Sequence, residues 1–321
     1  MNIPQFKTRH LLTVTDLTGD EILALFRFTR KLKKNTKKGV YKNYMKNISL
    51  AMIFEKCSTR TRVSFETGMT QLGGHALFLS GADIQLGRGE TIEDTARVLS
   101  RYVNGIMIRT FEHDKVVSLA TFSDIPVING LTDTYHPCQA LTDYFTIYER
   151  NKNFSDIKMT YVGDGNNVAN SLVLTAALLG SKISVAAPTG YQLEPAILEK
   201  ALSIARDSGA SIEITDDIDR AVAGANYLYT DVWTSMGQEQ ESAKRKKIFA
   251  GYSITLDLLK KSAPGCLVMH CLPAHRGEEI EHDVIESDHS IIFDQAENRM
   301  HVQKAIICSL LSKNRSRFRL G

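Results

Sequence analysis

The stretch Ile48-Ser49-Leu50-Ala51-Met52-Ile53-Phe54, followed by Ser58-Thr59-Arg60-Thr61-Arg62, decides the fold class of this 321-residue chain. Its first part is an apolar run of strand length, the pattern of a strand buried on both faces. Past its second part, Phe65, Met69 and Leu72 recur at i, i+4 and i+7, which is one face of a helix. A strand that feeds a helix across a hydroxyl-rich turn leaves the first N–H groups of that helix without intrahelical partners. Those donors, with the positive end of the helix dipole, form an anion site. Capping by Ser58 or Thr59 would explain one of the five polar residues, not all of them. Three hydroxyls and two guanidinium groups at one helix mouth suit a dianionic phosphate, whose oxygens an arginine grips in a fork.

Outward from this turn, strand and helix patterns alternate. Strands are predicted at 48–54, 76–80, 105–109 and 125–129, with helices marked by Ile92, Ala96, Leu99 and Val103 and by Leu141, Tyr144, Phe145 and Tyr148. The polar segment 151–156 marks a boundary, and strands are predicted again at 158–162, 182–187, 211–215, 226–230, 266–270 and 290–293. Such βαβα order implies an α/β protein of two domains, each a mostly parallel sheet flanked by helices. The expected domains are 1–150 and 151–294, followed by a C-terminal segment, 295–321. There Glu297-Asn298-Arg299 opens a last helix to about Leu311, and the basic tail Lys313 to Gly321 frays. Ligands of α/β sheets collect beyond the carboxyl ends of the strands, which places the active site in an interdomain cleft.

Composition narrows the class. With 43% hydrophobic and 23% charged residues, the chain has the make-up of a globular protein with material for two cores. A net charge of +3 is too small to require nucleic acid. The basic clusters Arg30 to Lys38 and Lys244 to Lys247 read as solvated faces, the first at a helix C-terminus where cations are favoured, because no aromatic residues are interleaved for base stacking. Five cysteines without CxxC or zinc spacing fit a reducing compartment. No apolar stretch approaches a membrane span, and the N-terminus lacks a signal-peptide pattern. The expectation is a soluble cytoplasmic protein with neither nucleic acid nor membrane as partner.

Each remaining polar cluster follows a strand. Arg109 ends the strand 105–109. His136-Pro137-Cys138-Gln139 follows 125–129, with Pro137 suited to the first helical position and His136 and Gln139 left at the helix mouth. A single histidine there is commonly a cap or a surface residue; beside Arg109 it becomes one of three donors for a single carbonyl oxygen. Gly163-Asp164-Gly165-Asn166-Asn167 tempts a dinucleotide-binding reading, but Val168 stands at the third glycine and the next strand ends at Pro188 without a ribose-binding acid. Asn167 is read instead as an amide placed over the cleft. Asp231, after the strand 226–230, suits a substrate ammonium. Cys271, after 266–270, is either a nucleophile or the inert small hydrophobe that buried cysteines commonly are. Arg299 could face the cleft.

Together these residues resemble the ornithine branch of the carbamoyltransferases, nearly end to end. Ser58-Thr59-Arg60-Thr61 and His136-Pro137-Cys138-Gln139 are shared with all carbamoyltransferases. Ser235-Met236-Gly237 and His270-Cys271-Leu272-Pro273 discriminate, because the aspartate enzymes resemble His-Pro-Leu-Pro and carry a lysine in the loop that here reads Gln85 to Glu90. The resemblance implies that carbamoyl phosphate is held by Ser58, Thr59, Arg60, Thr61, Gln85, Arg109, His136, Pro137, Cys138, Gln139, Cys271, Leu272 and Arg299. It implies L-ornithine on Asn167, Asp231, Ser235 and Met236, and catalytic roles for Arg109, His136, Gln139 and Cys271. It also implies no metal or other cofactor, a last helix packed on the first domain, and a homotrimer or a multiple of trimers in which Gln85 reaches a neighbour's site. The loop Gln85 to Glu90 favours the direction of arginine synthesis. Rival readings are a carbamoyltransferase for another amine, such as putrescine or an acylated ornithine, and a non-catalytic carbamoyl phosphate-binding protein.

Overall fold

The computed structural model describes residues 2–86, 89–235, 237 and 239–312. The chain divides into two compact units, Met1–Phe145 with Asn298–Gly321, and Thr146–Glu297.

In the first unit β1 (Ser49–Phe54), β2 (His75–Ser80), β3 (Gly105–Arg109) and β4 (Val127–Leu131) form a sheet in the order β2-β1-β3-β4, every pair parallel. β1 is central because Leu50, Ala51, Met52 and Ile53 leave nothing exposed on either face. The helices are α1 (Gly19–Lys37), α2 (Thr59–Gln71), α3 (Ile92–Tyr102), α4 (His113–Phe122) and α5 (Pro137–Arg150), whose last five residues enter the second unit. Ala51, Ile53, Ile106, Ile108, Val116 and Leu119 meet in the core of this unit. α1 begins with a capping box, in which Thr18 accepts from Glu21 N and the Glu21 carboxylate accepts from Thr18 N.

In the second unit β5 (Lys158–Val162), β6 (Lys182–Ala186), β7 (Ser211–Thr215), β8 (Tyr227–Thr230) and β9 (Leu267–His270) form a parallel sheet in the order β7-β6-β5-β8-β9. Around it lie α6 (Asn167–Leu179), α7 (Pro195–Ser208), α8 (Ile218–Val222), α9 (Ser242–Ile248), α10 (Leu256–Lys260) and α11 (His282–Ile285). α12 (Ile292–Leu311) starts in this unit and continues into the first. The order reverses between β5 and β8, the switch point at which α/β sheets take ligands. Gly163 and Gly165 have a local cause unrelated to a dinucleotide. Gly163 has φ 142°, and a Cβ on Gly165 would lie 2.5 Å from the backbone carbon of Gln192.

Three expectations need correction. Residues 290–293 are not a strand: Ser290 makes one isolated bridge to Val268, and α12 starts at Ile292. The last helix therefore opens five residues before Glu297. The basic clusters are not wholly solvated either. Lys33 is buried and donates to Asn298 Oδ1 at 2.7 Å, and Arg245 is buried in α9. The tail Lys313 to Gly321 lies outside the described residues, as do Gly87 and Arg88 of the loop Gln85 to Glu90 and the expected ornithine ligand Met236.

Candidate active site

In the first unit, β1, β3 and β4 deliver three polar turns at their carboxyl ends. Ser58 caps α2, its hydroxyl accepting from Thr61 N at 3.2 Å. The turn before it is braced: Glu55 accepts from the Thr110 hydroxyl and from Lys115 Nζ at 2.9 Å, and buried Lys56 pairs with Asp133 while lying 4.2 Å over the Phe111 ring. Glu55 N donates to Arg109 O at 2.9 Å, tying the ends of β1 and β3 together. Of the opening pentad, Arg62 turns away. Its guanidinium bonds Glu66 at 3.1 Å and lies 3.7 Å over Phe78, so the helix mouth keeps Ser58, Thr59, Arg60 and Thr61.

Pro137 is the first residue of α5, where a missing N–H costs nothing. Gln139 Nε2 donates to Asp143 Oδ1 at 2.7 Å, which turns Gln139 Oε1 toward Arg299. The Arg299 guanidinium, from α12, spans two helix starts: Nη1 donates to Gln139 Oε1 and Nη2 to Thr61 Oγ1 at 2.9 Å. Arg109, His136, Gln139 and Arg299 are all buried. Burial first, then the charges of Arg299 and Arg109, hold the His136 pKa well below the usual imidazole value. The ring is therefore neutral at pH 7 between two permanent cations. Cys138 is no nucleophile: burial pushes its thiol up to about 12, and Sγ faces Asn129 O at 3.5 Å. Gln85 lies in the exposed loop after β2, its carbonyl accepting from Glu90 N at 3.4 Å, and the structure does not draw it to these groups within the chain.

The second unit builds a site of opposite character. Asp231, just past β8, accepts from Val232 N and Asn166 Nδ2, both at 2.8 Å, and from Cys271 Sγ at 2.9 Å. Three donors hold its carboxylate in place. The Asn166 side-chain oxygen simultaneously caps α6, accepting from Val168 N at 2.9 Å. Asn166 thus ties Asp231 to the helix mouth, and Asn167, the amide expected there, is the first residue of α6. Cys271 and Leu272 belong to the same turn, where Leu272 has φ 60°. Ser235 is half-buried in the segment after Asp231.

Sequence reasoning passed over Asn166, Arg245, Glu279 and Gln295. Arg245 Nη1 donates to Asp164 Oδ2 at 2.8 Å and Trp233 O at 2.9 Å, pinning the segment after Asp231 to the turn after β5. Burial raises the Asp164 pKa, and Arg245 opposes the rise. A basic run gives no sign of which member turns inward; the Asp164 that receives Arg245 lies 81 positions away.

Among the described residues, two groups of side chains have the donor atoms to hold a cation. Donor atoms of Asp231, His270 and Cys271 lie within 4.8 Å of one another, as do those of His275, Glu278 and Glu279. In the first group the donors engage one another or their neighbours: Cys271 donates to Asp231, and the two His270 ring nitrogens meet Leu272 N and Glu279.

Two family models match the chain and meet near the end of α5, but unlike the compact units they keep residues 298–310 with the second part. Residues 9–149 match the family model described as aspartate/ornithine carbamoyltransferase, carbamoyl-P binding domain, and residues 155–310 match the Asp/Orn binding domain of the same family. The ornithine carbamoyltransferase of Archaeoglobus fulgidus is 53% identical over 95% of this chain and 98% of its own length. The solved ornithine carbamoyltransferase of Pyrococcus furiosus superposes with a TM-score of 0.93 at 48% identity, covering 97% of this chain and 99% of that one. The Campylobacter jejuni structure, described as an anabolic ornithine carbamoyltransferase, gives a TM-score of 0.89 at 43% identity over 94% and 99% of the two chains. With both of its domains matched by one family and the same family recurring among its relatives, the chain belongs to the aspartate/ornithine carbamoyltransferases.

Proposed function

We propose that this protein transfers the carbamoyl group of carbamoyl phosphate to the side-chain amine of L-ornithine, giving L-citrulline and phosphate. The observation that carries the reading is the Arg299 fork joining Thr61 to Gln139 beside Arg109 and neutral His136. The phosphate sits on Ser58, Thr59, Arg60 and Thr61 at the mouth of α2, where N–H donors and the helix dipole meet it. Gln85, Pro137, Cys138, Cys271 and Leu272 complete the contacts with carbamoyl phosphate. Arg109, His136 and Gln139 take the carbonyl oxygen and stabilise the charge it gains as the amine attacks. A neutral imidazole donates an N–H without adding a third positive charge. Ornithine is held by Asn167, Asp231, Ser235 and Met236, the Asp231 carboxylate meeting the α-ammonium. Cys271 stands beside the attacking amine. The carbonyl carbon becomes tetrahedral, the C–O bond to phosphate breaks, and the nitrogen passes its proton to the departing phosphate.

The pH dependence follows from the amine. An alkylammonium with pKa near 10.4 is unprotonated in fewer than about one molecule in a thousand at pH 7. With His136 already neutral, log kcat/KM for ornithine is expected to rise by about one per pH unit between about pH 6.5 and 8.5. The deciding assay is citrulline formation by the purified chain across that range, with putrescine as the competing acceptor. No citrulline, or faster carbamoylation of putrescine, would overturn the reading.

An edge that a parallel sheet normally covers supports assembly as a homotrimer or a multiple of trimers. On β2 Leu77 is 38% and Phe78 37% exposed, while α3 leaves Val98 at 43% and Tyr102 at 77%. Parallel sheets are ordinarily buried on both faces, so this surface calls for a partner, and a second copy would receive Gln85 from the loop beside it. Sedimentation equilibrium is expected to give a multiple of three times 35.8 kDa; a monomer would refute it. A reducing cytoplasm suits its five free thiols, of which Cys57 is exposed. The anabolic relative in Campylobacter jejuni supports a place in arginine biosynthesis.

A further inference from the structure

We propose that Glu279 is a positioning residue of this active site, acting through His270 to set the turn that carries Cys271 and Leu272. The inference rests on the carbamoyl-transfer reading above and extends it to a residue that meets no substrate.

The hydrogen bonds around His270 fix its tautomer. Leu272 N donates to Nδ1 at 2.8 Å, so Nδ1 carries no proton. The ring proton is therefore on Nε2, 3.1 Å from Glu279 Oε1, to which it donates. The same carboxylate oxygen accepts from His275 N at 2.6 Å, and the backbone N of His270 donates to Gln295 Oε1 at 2.9 Å. One oxygen of Glu279 thus closes both ends of the turn 270–275. Inside that turn Leu272 has φ 60°, a left-handed conformation that a non-glycine residue disfavours and that its surroundings must impose. The turn ends in function at Cys271 Sγ, which donates to Asp231 Oδ1 at 2.9 Å.

Glu279 is fully buried, and its second oxygen, Oε2, meets no hydrogen-bond donor among the described residues. A carboxylate enclosed with one oxygen unmet is a costly way to gain stability alone. It is a specific way to hold one histidine tautomer and one turn.

Three variants separate reach from charge. Glu279→Gln keeps an acceptor oxygen at the same distance, Glu279→Asp keeps the charge but withdraws the oxygen by one methylene, and Glu279→Ala removes both. Outer partners that orient metal-ligating histidines cost about 10–100-fold when lost, and the same range is expected of this brace. The expected ornithine kcat/KM is within about threefold of wild type for Glu279→Gln, at least about tenfold lower for Glu279→Asp and lower again for Glu279→Ala. Because Cys271 and Leu272 also contact carbamoyl phosphate, its KM should follow the same order and stay within about twofold of wild type only in Glu279→Gln. Ring 15N shifts should show His270 protonated at Nε2 in the wild type and in Glu279→Gln, and losing that fixed tautomer in Glu279→Asp. If Glu279→Ala does not fold, the Gln–Asp contrast decides. Glutamine as damaging as aspartate, or aspartate equal to wild type, would overturn the proposal. A wild-type chain that makes no citrulline would instead refute the carbamoyl-transfer reading, and the His270 tautomer in Glu279→Asp would still test the brace.

Discussion

Replacing Arg299 by lysine is expected to lower kcat/KM for carbamoyl phosphate by about 10²–10³-fold while the protein remains folded. The reason is geometric. The guanidinium reaches Gln139 Oε1 with one nitrogen and Thr61 Oγ1, 2.9 Å away, with the other, joining the first turns of α5 and α2. A lysine ammonium is a single point and cannot make both bonds with a fixed fork, although its charge is the same. Losing the fork releases Gln139 from one side, leaving only its bond to Asp143 to orient it. Arg299→Met adds loss of charge. The Arg299 charge is second only to burial in lowering the His136 pKa, so the methionine variant should move that pKa back toward its ordinary value. The lysine variant should leave it in place. Steady-state kinetics with both variants, at pH 6 and pH 8, is the measurement. Losses below about threefold in both would remove Arg299 from the site.

The two units treat charge in opposite ways, and that contrast is what the proposed substrates require. A dianionic phosphate and a carbonyl oxygen gaining charge call for fixed cations with a neutral donor between them, as Arg109, Arg299 and His136 supply. A diamino acid calls for a carboxylate on the α-ammonium and no cation near the amine that must lose its proton. Asp231, flanked by an amide and a thiol, meets that need.

Local chemistry was legible in the sequence wherever one segment determined it. β1 showed in an uninterrupted apolar run, the start of α2 in Ser58, and the start of α5 in Pro137. The short apolar run Ile291-Ile292-Phe293 misled because three such residues suit a strand and the first turn of a buried helix equally; in the structure Ile292 is buried and Phe293 is 62% exposed, a helical phase. Contacts between distant segments left no trace at all. Lys33 meets Asn298 across 265 positions and Arg245 meets Asp164 across 81, so both looked like members of solvated runs. Asn166 and Asn167 are adjacent and identical, and only the helix start tells them apart: the capping residue is the one that bonds Asp231. Glu279 carried no motif of its own, and its meaning depends on the tautomer of His270.

Asp231→Asn is expected to raise the KM for ornithine by about 10²-fold, equivalent to about 2.7 kcal/mol, without changing the KM for carbamoyl phosphate. A hydrogen bond to a charged group contributes about 1.5–3 kcal/mol, so loss of one ammonium contact accounts for the figure. Internal donors sharpen the effect. Oδ1 accepts from Val232 N and Cys271 Sγ, and Oδ2 accepts from Asn166 Nδ2. An asparagine amide must turn its NH2 toward one of those two sets, putting donor against donor. The substitution can therefore act through the turn as well as through the lost charge. 5-Aminopentanoate separates the two effects, since it keeps the reacting amine and the carboxylate but lacks the α-ammonium that Asp231 meets. If Asp231 acts by recognising the α-ammonium, ornithine should lose its advantage over 5-aminopentanoate in Asp231→Asn, with 5-aminopentanoate turnover nearly constant. If the variant merely distorts the turn around Cys271, both acceptors should fall together. Unchanged ornithine dependence would exclude Asp231 from the site.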